Sequence, residues 1–135
     1  MYNIEIFLGN KLVSCDTIVP LMLSAKNNIP DVKINYHIFD LKSFNDIKKN
    51  IFLYDCLCKT GYLKLRGSSF SNNYLNKIYL KTKTLIFLLS LLYKLIFRKT
   101  VFYHFGIISF WPFKLLQKIK ANRVFVMEAN CWIKH

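Results

Sequence analysis

Two polar side chains near the carboxyl end of the sequence could do chemistry, because each lies at the end of an apolar run. His104 ends the run 101–104, and Glu128 lies near the end of the run 123–129. A histidine or a carboxylate at a strand end can act as a general base or contact a ligand. The simpler alternatives are a hydrogen-bonded, partly buried histidine and a glutamate paired with a nearby lysine or arginine. We predict His104 and Glu128 as the catalytic candidates.

One β-loop-α-β unit would position both residues. It consists of a strand over 101–104, a loop over 105–111, a helix over 112–121 and a strand over 123–129. Pro112 begins the helix, where its missing N–H costs nothing. Parallel sheets bind ligands beyond the carboxyl ends of their strands, so His104 and Glu128 should face one crevice. Gly106 would let the backbone approach a bound substrate there, and we predict it as substrate-binding.

The amino-terminal part of the sequence is predicted to form a similar β-α-β unit. Its predicted elements are a strand over 2–9, a helix over 18–27 and a strand over 32–39. Asp16 or Thr17 can cap the helix, which would place Pro20 in the first turn, where proline is tolerated. A β-α-β order indicates the crossover of a parallel sheet. Gly9 and Asn10 follow the first strand and are predicted as further substrate-binding residues, with a plain turn as the alternative.

The middle of the chain is predicted to be mostly helical. The predicted elements are a short helix through residue 49, a helix over 50–59, an irregular stretch over 63–70 and, over 72–99, one long helix or two in series. Ser43 and Asp46 have the spacing of a capping box, and Gly61 should end the second helix. The sequence therefore predicts a single α/β domain over 1–135, a Rossmann-like and mostly parallel sheet flanked by helices.

Positive charge is concentrated in the second part of the chain. Residues 1–55 contain six lysines and six acids, whereas residues 56–135 contain 14 lysines and arginines against Glu128 alone. The net charge of +13 therefore comes from the second part. Such asymmetry indicates a face turned to an anionic partner: a membrane surface, a nucleic acid or a phosphorylated ligand. A lysine-rich proteome would produce part of the same excess.

The most apolar window, residues 84–97, lies inside the long predicted helix. It is shorter than the roughly 20 residues that a spanning helix needs. A helical wheel places five basic residues within one arc and leucines on the other side, as in helices that lie at a membrane interface. We predict these basic residues to face anionic head groups: Lys77, Lys81, Lys94, Arg98 and Lys99. The alternative is a helix packed on the sheet with a solvated basic edge.

Signatures of cofactor and metal sites are missing from the sequence. It has no glycine-rich phosphate loop and no nucleophile elbow. Cys56 and Cys58 are too close together for ordinary zinc spacing, so neither a metal nor a cofactor is predicted. Glu5 interrupts residues 1–8, which therefore do not predict a secretory leader. We predict a cytoplasmic location, peripheral to the inner face of the cell membrane.

The sequence resembles the amino-terminal domain of GT-B glycosyltransferases of bacterial polysaccharide and lipopolysaccharide assembly. The resemblance covers most of the chain and rests on the order and spacing of three stretches. They are VFYHFG with the following WPFKLLQKIKANRVFV and MEAN, the preceding LLSLLYKLIFRK, and FDLKSF with IKKNIFLYDCL. It implies a Rossmann-like acceptor-side domain, with His104 and Gly106 at the cleft for a glycan or lipid-linked acceptor.

The sequence departs from that family in two respects. Gly9 is the only glycine after the first strand, where the family has a glycine-rich loop. The family also binds its sugar-nucleotide donor mainly through a carboxyl-terminal domain, and the 135 residues contain none of it. The resemblance thus implies a truncated product or one subunit of a split enzyme, inactive alone, whose partner chain brings the donor-binding half.

Two other classes of function remain open from the sequence. A basic nucleic-acid-binding module is compatible with the charge and the aromatic content, but no recognition-motif pattern favours it. A small membrane-surface interaction protein without catalysis is the third hypothesis. The glycosyltransferase hypothesis is preferred because charge asymmetry, predicted sheet order and the basic apolar helix all agree with it.

Overall fold

The structure, a computed structural model, describes residues 2–8, 13–39, 41–66, 74–105, 118 and 124–127. Five strands and four longer helices lie within these ranges. The strands are β1 (Tyr2–Phe7), β2 (Val32–Ile38), β3 (Tyr62–Leu65), β4 (Thr100–Phe105) and β5 (Val124–Met127). The helices are α1 (Val13–Asn28), α2 (Leu41–Lys49), α3 (Ile51–Thr60) and α4 (Tyr74–Phe97).

The strands form one parallel sheet in the order β3-β2-β1-β4-β5. The central strand β1 pairs with β2 on one side and with β4 on the other, and Phe7 lies between His37 and His104. The strand order therefore reverses direction at β1, which is the topological switch point of Rossmann-like folds. The predicted fold class is confirmed: the chain is an α/β domain with a Rossmann-like parallel sheet.

The larger core lies between the sheet and helices α1, α2 and α3. Alternate residues of β1 and β2 point into it, because successive side chains of a strand lie on opposite faces. These strand residues are Ile4, Ile6, Ile34, Tyr36 and Ile38. Helices α1 and α3 contribute residues at helical spacing, and α2 contributes one residue; together these are Cys15, Ile18, Met22, Ile47, Leu53 and Leu57. Burial of these apolar side chains fixes the three helices on one face.

Helix α4 covers the other face over the centre of the sheet. Phe87, Leu91 and Leu95 pack against Phe7 of β1 and Phe102 of β4. The rings of Phe7 and Phe102 meet edge to face, with centroids 4.6 Å apart. A parallel sheet is normally covered on both faces, and α4 provides the second cover here. Within the predicted range 72–99, the structure shows one continuous helix, Tyr74–Phe97, and not two in series.

Two predicted helix starts were wrong. Helix α1 begins at Val13, five residues before the predicted start, because buried Cys15 extends the row formed by Ile18 and Met22. Pro20 consequently lies in the helix interior, where it removes one backbone hydrogen bond. Helix α2 begins at Leu41, so that Ser43 lies inside its first turn and does not cap it.

The predicted irregular stretch after Gly61 was also wrong at its beginning, because Tyr62–Leu65 forms the edge strand β3. Gly61 ends α3 as predicted, and its N–H donates to the Leu57 carbonyl. Its backbone is extended, with a φ of −167°, so the helix end does not depend on a left-handed residue. Glycine is needed for space: a Cβ would lie 2.6 Å from the Ile34 carbonyl oxygen.

Replacing Gly61 with alanine should therefore destabilise the domain, because the new Cβ would push α3 and β3 away from β2. We expect Gly61→Ala to lower the free energy of unfolding by about 1–3 kcal/mol, the usual cost of overpacking. Urea denaturation followed by circular dichroism measures this. The control is Asn45→Ala on the exposed side of α2, which should change stability by less than about 0.5 kcal/mol. Equal effects of the two substitutions would contradict the close approach.

Candidate functional site

The face of the sheet beneath α4 contains a buried polar cluster. Glu5 on β1 and Asn35 and His37 on β2 alternate with the apolar residues of the larger core, so they point to the opposite face. Glu5 is 1% exposed and His37 is 0% exposed. A buried carboxylate is costly unless it is paired and hydrogen-bonded, so its partners decide whether the cluster is stable.

Three side chains donate hydrogen bonds to the Glu5 carboxylate. The Lys94 ammonium of α4 lies 2.7 Å from Oε1, and the Asn35 amide lies 3.3 Å from the same oxygen. Nε2 of His37 lies 2.5 Å from Oε2. Both carboxylate oxygens are therefore occupied. Because Lys94 comes from α4 and the other two donors come from β2, the carboxylate joins the helix to the sheet.

Hydrogen bonding determines the protonation state of His37. The Arg66 Nε–H donates to Nδ1 of the ring over 3.1 Å, so Nδ1 must accept and carries no proton. The proton is then on Nε2, which donates to Glu5. Burial lowers the pKa of His37 and outweighs the opposing bond to Glu5, while the charges of Arg66 and Lys64 lower it further. His37 is a neutral link between Glu5 and Arg66.

Glu5 is the charged acid of the cluster. Burial raises its pKa, but the hydrogen bonds from His37 and Lys94 and the positive charge of Lys94 lower it by more, so its pKa lies below the ordinary 4.5. Since His37 is neutral, Lys94 is the cation that balances this carboxylate. The cluster is therefore built around one ion pair, whose carboxylate is almost completely removed from water while the Lys94 side chain stays partly exposed.

Two further cations project from β3 and its end. Lys64 donates to the Asn35 side-chain oxygen over 2.9 Å, and the Arg66 guanidinium lies over the Phe87 ring, 4.4 Å from its centre. Burial lowers the pKa of Lys64, and repulsion from Arg66 lowers it further. Three cations, Lys64, Arg66 and Lys94, thus lie around Glu5. Among the described residues, Glu5 is the only carboxylate that contacts the cluster. The cluster has an excess of positive charge.

A cleft opens beside this cluster, beyond the carboxyl ends of β2 and β3. We call it the Arg66 cleft; its volume is about 140 Å³, and it is lined by Phe39, Arg66, Lys83, Ile86 and Phe87. A larger cleft of about 880 Å³ lies against β2 and β3 near their amino-terminal starts. Ligands of open α/β sheets bind at the carboxyl ends of the strands. The smaller, basic cleft is therefore better placed for function.

The backbone brings together the strand ends that carry the predicted site. β1, β4 and β5 are parallel neighbours, and His104 of β4 pairs with Phe7 and with Val126. The side chain of His104 lies outside the described part of the structure. The same holds for the whole of Gly9, Asn10, Gly106 and Glu128. Their roles as catalytic or substrate-binding residues stay predictions, at strand ends that the topology makes adjacent.

The prediction that Lys94 faces a membrane was wrong, because its ammonium points to the sheet and binds Glu5. Its side chain is 34% exposed, against 1% for Glu5. Arg98 and Lys99 are exposed, and Lys99 lies over the Tyr2 ring. The side chains of Lys77 and Lys81 are outside the described residues, although both positions belong to α4.

The described side chains on the outward face of α4 are mostly apolar, although Lys83 is exposed as well. Its exposed apolar residues are Ile78, Tyr79, Leu85, Ile86, Leu89, Tyr93, Ile96 and Phe97. Phe97 is 71% exposed. None of the helices is long and apolar enough to cross a bilayer over the residues that the structure describes. The helix therefore has two apolar sides, one packed on the sheet and one uncovered.

Sequence reasoning missed the pairing of Glu5 with His37, since Glu5 served only as an interruption of residues 1–8 and His37 as a residue of a predicted strand. A signal was present: Asn35 and His37 occupy alternate positions of one strand, and Lys94 is the charged residue inside an otherwise apolar window. In a parallel sheet covered on both faces, alternate polar residues must be buried and need partners. A lysine in the covering helix supplies one.

Comparison of the chain with protein-family models, curated proteins and solved structures finds no match. Nor do the described residues contain a group of three or more histidines, cysteines or acids that could hold a metal ion. The cluster consists of the Glu5–Lys94 ion pair and two further cations, Lys64 and Arg66. It can hold α4 on the sheet and present Arg66 to an anion.

The neutral state of His37 predicts how stability depends on pH. The pKa of His37 in the folded state lies below its ordinary value of 6.5. Between these two pKa values, the unfolded chain binds a proton at His37 and the folded chain does not. The stabilising contribution is present above pH 6.5 and is lost as the pH falls. We expect the free energy of unfolding to decrease by up to about 1.4 kcal/mol per pH unit in this window.

Urea denaturation between pH ~7.5 and ~5 measures this dependence for the native chain and for His37→Gln. The variant cannot take up the proton, so its stability should change less over the same range. His135→Gln replaces the last residue of the sequence as the control and should keep the native slope. A His37→Gln variant with the full native slope would show that His37 is not the titrating group.

Proposed function

We propose that the chain is the acceptor-side domain of a GT-B-like glycosyltransferase that acts on lipid-linked or surface glycans of bacterial polysaccharide or lipopolysaccharide. The observation that carries the proposal is the pairing of β1 with β4, with Phe7 opposite His104. Because of this pairing, the carboxyl ends of β1 and β4 lie at the switch point of the sheet, which is where Rossmann-like folds have their ligand crevice. The sequence resemblance assigns the acceptor to this crevice.

Within this proposal, His104 is the general base or acceptor contact, since it lies one residue before the end of β4. Glu128 directly follows β5 and is the second catalytic candidate. Gly9, Asn10 and Gly106 border the acceptor where the backbone leaves β1 and β4. The sugar-nucleotide donor is bound by a domain or partner chain from outside these 135 residues, so the chain alone binds acceptor without transferring sugar.

The outward face of α4 supports a location at the cytoplasmic membrane face. Leu85, Leu89 and Tyr93 are each more than half exposed, which is costly in water unless the face has a partner. The net charge of +13 favours an anionic surface as that partner. An acceptor linked to a membrane lipid would then be near the crevice. In this arrangement α4 lies along the surface and does not cross it.

A membrane-surface module without catalysis is the second candidate, and the same outward face of α4 favours it. The two candidates differ in one respect: only the acceptor domain should distinguish vesicles that carry a glycan. Net charge is the observation that favours nucleic acid, and it is equally well explained by anionic lipid.

Vesicle flotation with and without a lipid-linked oligosaccharide tests the proposal. We expect the native chain to bind glycan-carrying anionic vesicles more tightly than plain ones. His104→Ala should reduce this difference by about tenfold, the effect of losing one good polar contact to the acceptor. The chain alone should transfer no sugar from a sugar nucleotide.

His135→Ala is the matched control and should keep the native preference for glycan. Equal binding to both kinds of vesicle by the native chain would contradict the acceptor domain and leave the non-catalytic membrane module. Absence of binding to any vesicle would exclude the membrane location for both candidates.

A further inference from the structure

The Arg66 cleft combines a fixed guanidinium with an exposed lysine. The Nε–H of Arg66 is engaged by His37, and the guanidinium plane is held over Phe87. A guanidinium has five N–H donors, and no described residue accepts from the other four. Lys83 of α4 lines the same cleft and is exposed. The Lys83 ammonium lies 5.9 Å from the centre of the Tyr79 ring, one helical turn earlier in α4. Two cationic side chains thus border one small space, and a change of the Lys83 rotamer would bring its ammonium to an anion bound at Arg66.

The described acids do not neutralise this space. The Glu5 carboxylate already accepts from Lys94, His37 and Asn35, and its described hydrogen bonds and ion pairs do not include Arg66. Burial lowers the pKa of Arg66, with an opposing contribution from Glu5. The positive charges of Lys64 and Arg66 also repel each other. An anion in the cleft would relieve both effects, and a planar fork of N–H groups suits phosphate oxygens well.

The dimensions of the cleft admit a group larger than water. Its volume of about 140 Å³ is well above the roughly 10–15 Å³ that one water molecule needs. Phe39, Ile86 and Phe87 make the rest of the lining apolar. The site therefore fits a charged group attached to something apolar better than it fits a free, fully hydrated ion.

The cleft is continuous with the uncovered face of α4. Ile86 lines the cleft and is 62% exposed on the outward face of the helix, beside Leu85 and Leu89. An amphiphile with its anionic head at Arg66 could lay its apolar chain along these residues. The Arg66 cleft would then bind the charged head group, and the neighbouring outward face of α4 would contact the apolar chain.

We propose that the Arg66 cleft binds the phosphate group of an anionic membrane lipid, with Arg66 and Lys83 as its ligands and the outward face of α4 against the acyl chains. This inference rests on the membrane contact in the proposed function and adds the lipid group that is recognised. His37 is a positioning residue, because it holds the guanidinium through Nδ1 without touching the phosphate. The site is distinct from the acceptor crevice between β1 and β4.

Binding of the full chain to phosphatidylcholine vesicles with and without phosphatidic acid tests the site. The decisive variant is Arg66→Lys, which keeps the charge and removes the forked donor pair. We expect it to weaken binding to the phosphatidic acid vesicles about tenfold. Arg98→Lys makes the same replacement on an exposed arginine outside the cleft and should change binding less than about twofold. Circular dichroism checks that both variants fold.

A second pair of variants removes charge without touching the buried cluster. Lys83→Gln should weaken binding more than Lys42→Gln, which also removes one exposed lysine but does so on α2, on the other face of the sheet. This pair decides the matter if Arg66→Lys does not fold. Equal losses within each pair, with the native chain still bound, would overturn the phosphate site and leave the membrane contact intact. No native binding to any vesicle would overturn both.

Inorganic phosphate distinguishes a lipid head group from a soluble phosphate. We expect phosphate at the concentration of the lipid head groups to leave the native chain on the vesicles, because it cannot occupy the outward face of α4. Release of the chain under these conditions would overturn the lipid assignment.

Discussion

The pairing of the buried Glu5 carboxylate with Lys94 is the constraint on which the rest of the structure depends. Charge on a central strand cannot remain beneath a covering helix unless that helix provides a counter-ion. Lys94 does so, and the pair together with the packing of Phe87, Leu91 and Leu95 on the sheet fixes the position and the rotation of α4. Phe87 and Ile86, seven and eight residues earlier in the same helix, are thereby set beside Arg66. The basic cleft is a geometric consequence of the buried pair.

The two candidate sites share one edge of the sheet for a physical reason. All five described strands are parallel, so their carboxyl ends lie together. Arg66 stands at the end of β3 and His104 at the end of β4, on either side of the central strand β1. With a lipid phosphate bound near Arg66 and an acceptor glycan near His104, both halves of this edge would bind ligands. The outward face of α4 lies beside the first of them.

Local pattern was sufficient to predict the fold, but not the site. Alternation in residues 32–38 and the apolar run of α4 depend on burial alone, and both were predicted correctly. The short edge strand β3 was missed because four residues are too few to show the alternation of apolar and polar residues that indicates a strand. Lys94 was assigned to a membrane surface since its wheel position is basic. Its true direction depends on Glu5, 89 residues earlier in the chain, a pairing that no local pattern contains.

A double-mutant cycle on Glu5 and Lys94 tests the central pairing most directly. Lys94→Met alone leaves the carboxylate without its counter-ion and should cost about 3 kcal/mol or more in the free energy of unfolding. If the pair is real, Glu5→Gln with Lys94→Met should cost less than the sum of the single changes, by at least about 2 kcal/mol. Additivity within about 0.5 kcal/mol would show that Lys94 does not hold Glu5, and the positioning of α4 would need another cause.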